Sequence, residues 1–112
     1  MRLRPLVGAL SMIAFASAAS GQSVDTSSAN WVMPGCLGTS NDFRQGVCSG
    51  EVEALVVIGQ LLPIGQRFCT PTGSTRGQAV RVVVAYIQQN PARTHEPFAT
   101  LAVEALRRAW PC

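Results

Sequence analysis

The most regular apolar spacing in the chain lies at Val80, Val83, Val84 and Ile87, which fall at i, i+3, i+4 and i+7 on one helical face. Thr75-Arg76-Gly77-Gln78 precedes them as a capping box, in which the Thr75 hydroxyl and the Gln78 side chain each satisfy an orphan backbone donor. RVVVAYI on its own reads equally as a strand, because β-branched residues favour sheets. The capping box, the period and the stop at Asn90-Pro91 decide for a helix over 75–90. A second continuous apolar face, Phe98, Leu101, Ala102, Ala105, Leu106 and Ala109, predicts a helix from Pro97 to 110, with Pro97 suited to its first turn. Glu104 and Arg108 stand at i, i+4 on its outer side, and Arg107 and Arg108 fill the last turn, where positive charge complements the dipole.

The apolar positions of EVEALVVIGQLL, from Glu51, are too dense for a one-sided stripe. They predict a helix buried on most of its surface, with acids in its first turn and Pro63 at its end. Upstream, the polar stretch 22–33 predicts a short helix starting near Asp25 and stopping before Pro34. CLGTSNDFRQGVC, rich in Gly, Ser, Asn and Asp, reads as a loop with a cysteine at each end. With no strand or hairpin signal, the expected fold is all-α: a small disulfide-stapled bundle of about four helices.

The N-terminus reads as a secretory signal peptide over 1–21. Arg2 and Arg4 form a basic head, Leu6–Ala16 is apolar, and small residues follow, with cleavage expected between 18 and 22. The apolar run is too short for a stable membrane anchor, and the basic head and small-residue tail argue against a buried N-terminal helix. The domain that remains, 22–112, has seven Arg against six acids, a net charge of +1. A charge this small, without basic runs interleaved with aromatics, argues against nucleic acid as a partner.

A domain of this size is marginal unless reinforced. Its four cysteines, Cys36, Cys48, Cys69 and Cys112, are an even count in an exported chain, which reads as two disulfides. Zinc is disfavoured, because no C-x-x-C spacing occurs and His95 is the only histidine. Short connections make consecutive helices antiparallel, so Cys69, before one helix, and Cys112, after the next, come to the same end of the bundle. Cys48 is held about 20 Å away by the intervening helix, within easy reach of Cys36. The expected pairs are therefore Cys36–Cys48 and Cys69–Cys112, one of three possible pairings. In the terminal Trp110-Pro111-Cys112, Trp110 packs the helix end and Pro111 halts it so that the sulfur turns inward.

Catalytic chemistry finds little support. His95 with Glu96 is the one acid–base pair worth weighing, and both are ordinary residues for a helix start. Glu51 and Glu53, at i, i+2, lie on different faces of a helix. No phosphate loop, Ser/His/Asp set or metal motif is present. These residues point to a binding or structural protein without cofactor or metal, and not to an enzyme.

Three stretches together carry a resemblance: GVCSGEVEAL (46–55), RFCTPTGSTRGQAVRVVVAYIQQNP (67–91) and HEPFATLAVEALRRAWPC (95–112). Their order and spacing resemble the Rap/Tai family of immunity proteins against type VI secreted amidase effectors. The pattern falls on Cys48 and Gly50, Cys69 and Pro71, Gln78 and Pro91, and Ala105, Leu106, Trp110, Pro111 and Cys112. Glu51 departs from it, since the family commonly has Tyr after the glycine. The resemblance implies a periplasmic all-α protein, often a homodimer, that occludes a peptidoglycan amidase. A stand-alone periplasmic structural or stress-related protein on the same scaffold is the alternative, and a small hydrolase built on His95 and Glu96 is a third reading. Exposure alone places the partner contacts at two helix-start tips, Thr72, Ser74 and Arg76 on one and Arg93, His95 and Glu96 on the other.

Overall fold

The computed structural model describes residues 24–112 together with positions 2, 3, 5 and 8. Apart from those four positions, the signal peptide expected over 1–21 and its cleavage region lie outside the described residues. The described residues form four α-helices: α1 (Ala29–Cys36), α2 (Asp42–Ile58), α3 (Arg76–Gln88) and α4 (Phe98–Ala109). Short 3-10 turns lie at Gly59–Leu61 and Pro91–Arg93. The only β-type pairing among the described residues is an isolated bridge between Ser28 and Pro97. The fold is the small all-α bundle expected.

Helix α1 starts later and ends later than its sequence suggests. The Asp25 carboxylate accepts from the Ser27 N–H at 3.0 Å and from the Ser27 hydroxyl at 2.6 Å, which shapes a turn rather than a helix start. The cap is Ser28, whose hydroxyl accepts from the Trp31 N–H at 3.4 Å. Pro34 lies inside the helix. There it withdraws one N–H, and the helix still closes through the Leu37 N–H to the Met33 carbonyl at 3.0 Å.

Helix α2 likewise begins at Asp42 and not at Glu51. The Asn41 side chain caps the Arg44 N–H at 3.0 Å, and Asp42 supplies the acid that suits the N-terminal dipole. Half of the expected Cys36–Cys48 loop is thus helix, Cys48 sits within α2, and Glu51 and Glu53 ride mid-helix rather than on its first turn. Nor is this helix buried on most of its surface. Only Cys48 and Val52 are buried, while Val57 and Ile58 face solvent.

The core gathers Val32 of α1, Val52 of α2, Val83 and Ile87 of α3, and Phe98, Leu101 and Leu106 of α4 around Phe68. Two glycines allow this approach. At Gly35 an added Cβ would collide with the Arg44 carbonyl, so only glycine lets α1 and α2 meet there. At Gly59 a Cβ would stand 2.5 Å from the Phe68 ring, so the bare backbone lets that ring reach the core. Helices α3 and α4 begin and end close to expectation. Thr75 accepts from the Gln78 N–H at 3.1 Å, while the Gln78 side chain accepts from the Thr75 N–H at 2.8 Å.

Candidate interaction surface

Two disulfides tie the bundle. Cys36–Cys48 joins α1 to α2 with Cα atoms 5.3 Å apart, and Cys69–Cys112 joins the turn before α3 to the residue after α4 with Cα atoms 4.8 Å apart. Beside the second, the Cys69 N–H donates to the Trp110 carbonyl at 2.8 Å. Trp110 is half-buried against the core and its own N–H ends α4 on the Leu106 carbonyl. The chain end is thereby a fixed part of the fold.

The two expected contact tips lie at opposite ends of α3, about 20 Å apart by helix rise, so they cannot form one continuous patch. The first tip is at the clasped end. Thr72 and Arg76 are exposed and Ser74 is half-buried, and the Arg76 guanidinium reaches Glu53 at 2.9 Å in an exposed pair. The second tip is largely consumed by the fold. The Thr94 and Glu96 carbonyls accept from the Asn30 and Ala29 N–H groups at 2.8 and 2.9 Å, satisfying orphan donors at the start of α1. In return the Phe98 N–H of α4 donates to Ser27 at 2.8 Å.

Arg93 is the centre of that second end. Its Nε and Nη2 donate to Glu96 at 2.6 and 2.9 Å, and its Nη1 and Nη2 to Glu104 at 2.8 and 3.0 Å. Tyr86 donates its hydroxyl proton to Glu104 at 2.7 Å. The guanidinium fork and two carboxylates thus pin the α3–α4 hairpin, in the bidentate geometry that Arg favours. Arg93 holds both carboxyls below their ordinary value, with Tyr86 assisting at Glu104, and the two acids push the guanidinium further up. The i, i+4 pairing of Glu104 with Arg108 gives way to this network, and Arg108 instead lies 5.7 Å over the Tyr86 ring. His95 stays exposed, with no side-chain hydrogen bond among the described residues.

Val57 and Leu61, which the sequence places on a mostly buried helix, lie outside, and Ile64 beyond them does too. Val57, in the last turn of α2, is 74% exposed, and Leu61 and Ile64, on the segment that leads from α2 to Phe68, are 82% and 83% exposed. Beyond Ile64 opens a depression of about 710 Å³ lined by Arg67, Arg107, Arg108 and Cys112, among others. The punctuation of this stretch by Gly59, Pro63 and Gly65 was the available sign that no long buried helix passes through it.

Among the described residues no group of three or more His, Cys, Asp or Glu is arranged to hold a metal ion, and no helix is long and apolar enough to cross a membrane. The family model described as Rap1a immunity proteins matches residues 16–112. The chain belongs to this family. Membership implies an effector protein as partner. No curated protein and no solved structure matches the chain.

Proposed function

We propose that the protein is a periplasmic immunity protein that binds a type VI secreted peptidoglycan amidase and occludes its cleft. The observation that carries this reading is the family match across residues 16–112. The fold supports it: two disulfides suit an oxidising compartment, and the chain is stapled at both the α1–α2 contact and the α4 end. In this reading residues 1–21 are the signal peptide that directs export and 22–112 the immunity domain, which acts as a binder without a reaction of its own.

For the part that enters the cleft we assign first the tip Thr72, Ser74 and Arg76. Of the other tip, His95 is free to touch a partner, while Arg93 and Glu96 hold the hairpin. The solution state, a homodimer by family resemblance, is read by sedimentation of the purified protein.

A co-culture tests the function. A strain lacking this gene, grown against its secretion-competent parent, is expected to be killed, and the intact gene is expected to restore survival. Survival of the deletion strain without complementation contradicts the proposal.

A further inference from the structure

The segment from α2 to Cys69 holds large apolar side chains in water on a backbone that is not loose. The Phe68 N–H donates to the Gly59 carbonyl at 3.3 Å, closing the segment into a compact loop. Inside it, the Gln66 and Arg67 N–H groups donate to the Pro63 carbonyl at 2.8 and 2.9 Å, and the Arg67 Nε donates to the Leu62 carbonyl at 3.1 Å. Phe68 is fully buried against Gly59, and the next residue is fixed by its disulfide. A loop so pinned cannot fold Leu61 and Ile64 back into the core, whose place is taken by Phe68. Together with Val57 and Ile58 they leave four branched apolar side chains exposed between positions 57 and 64, a concentration that marks interaction sites on small proteins.

The charge beside this ridge is mainly positive. Arg67, Arg107 and Arg108 line the depression next to Ile64, and Glu104, the acid on its wall, is already held by Arg93 and Tyr86. Apolar side chains at the centre with arginines at the edge are the composition of a binding surface, in which the apolar part supplies affinity and the charges supply orientation and rate.

We infer that the Val57–Leu61–Ile64 ridge, edged by Arg67 and Arg107, docks on the effector, at a surface that presents an apolar depression bordered by Asp or Glu side chains. The inference rests on the immunity reading above and gives it a surface the sequence reading lacked. The ridge and the Thr72–Arg76 tip both adjoin the Cys69–Cys112 clasp, the one before Cys69 and the other after it. The preformed loop lowers the ordering cost of binding.

The test measures the affinity of the purified protein for the amidase effector of the producing strain by calorimetry. The unmodified protein is compared with Leu61→Asp/Ile64→Asp and with Arg107→Glu. The double variant is expected to lose roughly 100-fold or more in affinity, as for a truncated central contact. Arg107→Glu is expected to lose about 10-fold, mainly in association rate and most strongly at low salt. Melting temperatures should stay close to that of the unmodified protein, because all three positions are exposed. Unchanged affinity of the double variant overturns the ridge as docking surface and leaves the immunity reading standing. Failure of the unmodified protein to bind overturns that reading and this occupant together. Loss of self-association with affinity retained assigns the ridge to a second copy of the chain and overturns the inference.

Discussion

The main-chain N–H of Cys69 meets the Trp110 carbonyl at 2.8 Å, so the terminal clasp is a hydrogen bond as well as a disulfide. The Cys69–Cys112 bridge closes the longer loop, with a sequence separation of 43 against 12 for Cys36–Cys48. On the chain-entropy model, removing it costs about 4 kcal/mol and removing the shorter one about 3 kcal/mol. Urea unfolding of Cys69→Ser/Cys112→Ser and of Cys36→Ser/Cys48→Ser is expected to show the larger loss for the first pair. The reverse order would mean that the helix contact, rather than the loop, sets the contribution.

Gly59 and Phe68 form a lock-and-ring pair that closes the 59–68 loop. Gly59→Ala places a methyl group 2.5 Å from the ring and should destabilise by about 1–3 kcal/mol through overpacking. Phe68→Leu leaves room for that methyl, so the combined variant should be less unstable than the sum of the two single changes. Denaturant midpoints of the four proteins check this, and strict additivity would show that the two residues do not contact.

Acid should loosen the α3–α4 hairpin. Glu96 and Glu104 are held below the ordinary carboxylate value of 4.5, chiefly by Arg93. Groups whose folded pKa is depressed contribute stability above their unfolded pKa, and lose it as pH falls through the folded value. Asp25, held down by Ser27, acts in the same direction, while burial pushes Glu51 up and acts in the opposite one. Thermal midpoints should be flat from neutral pH down to about 5 and drop below 4.5. Glu104→Gln should flatten that drop, and an unaltered pH profile in this variant would remove the hairpin from the explanation.

How much of this was legible in the chain varies by element. Local chemistry reads well: Thr75 and Gln78 form the capping box their spacing announces, and the α4 face from Phe98 to Leu106 meets the core as its period requires. The start of α2 was also written locally, in Asn41 and Asp42, but the surrounding Gly, Ser and Asn masked it. Pro34 reads as a stop because its cost depends on which carbonyl goes unpaired, and the neighbouring bonds decide that. The partner of Glu104 was not legible at all, since Arg93 reaches it through the turn between helices while Arg108 is the local choice. Most consequential for the surface, apolar density at Val57–Ile64 reports hydrophobicity without reporting whether core or partner covers it.

The most direct test of the central claim is an inhibition titration. The proposed partner, an amidase effector of the producing strain acting on purified peptidoglycan, is assayed against increasing amounts of this protein. Hydrolysis is expected to fall to background at a fixed stoichiometric ratio. Full amidase activity in the presence of excess folded, disulfide-bonded protein would contradict the account.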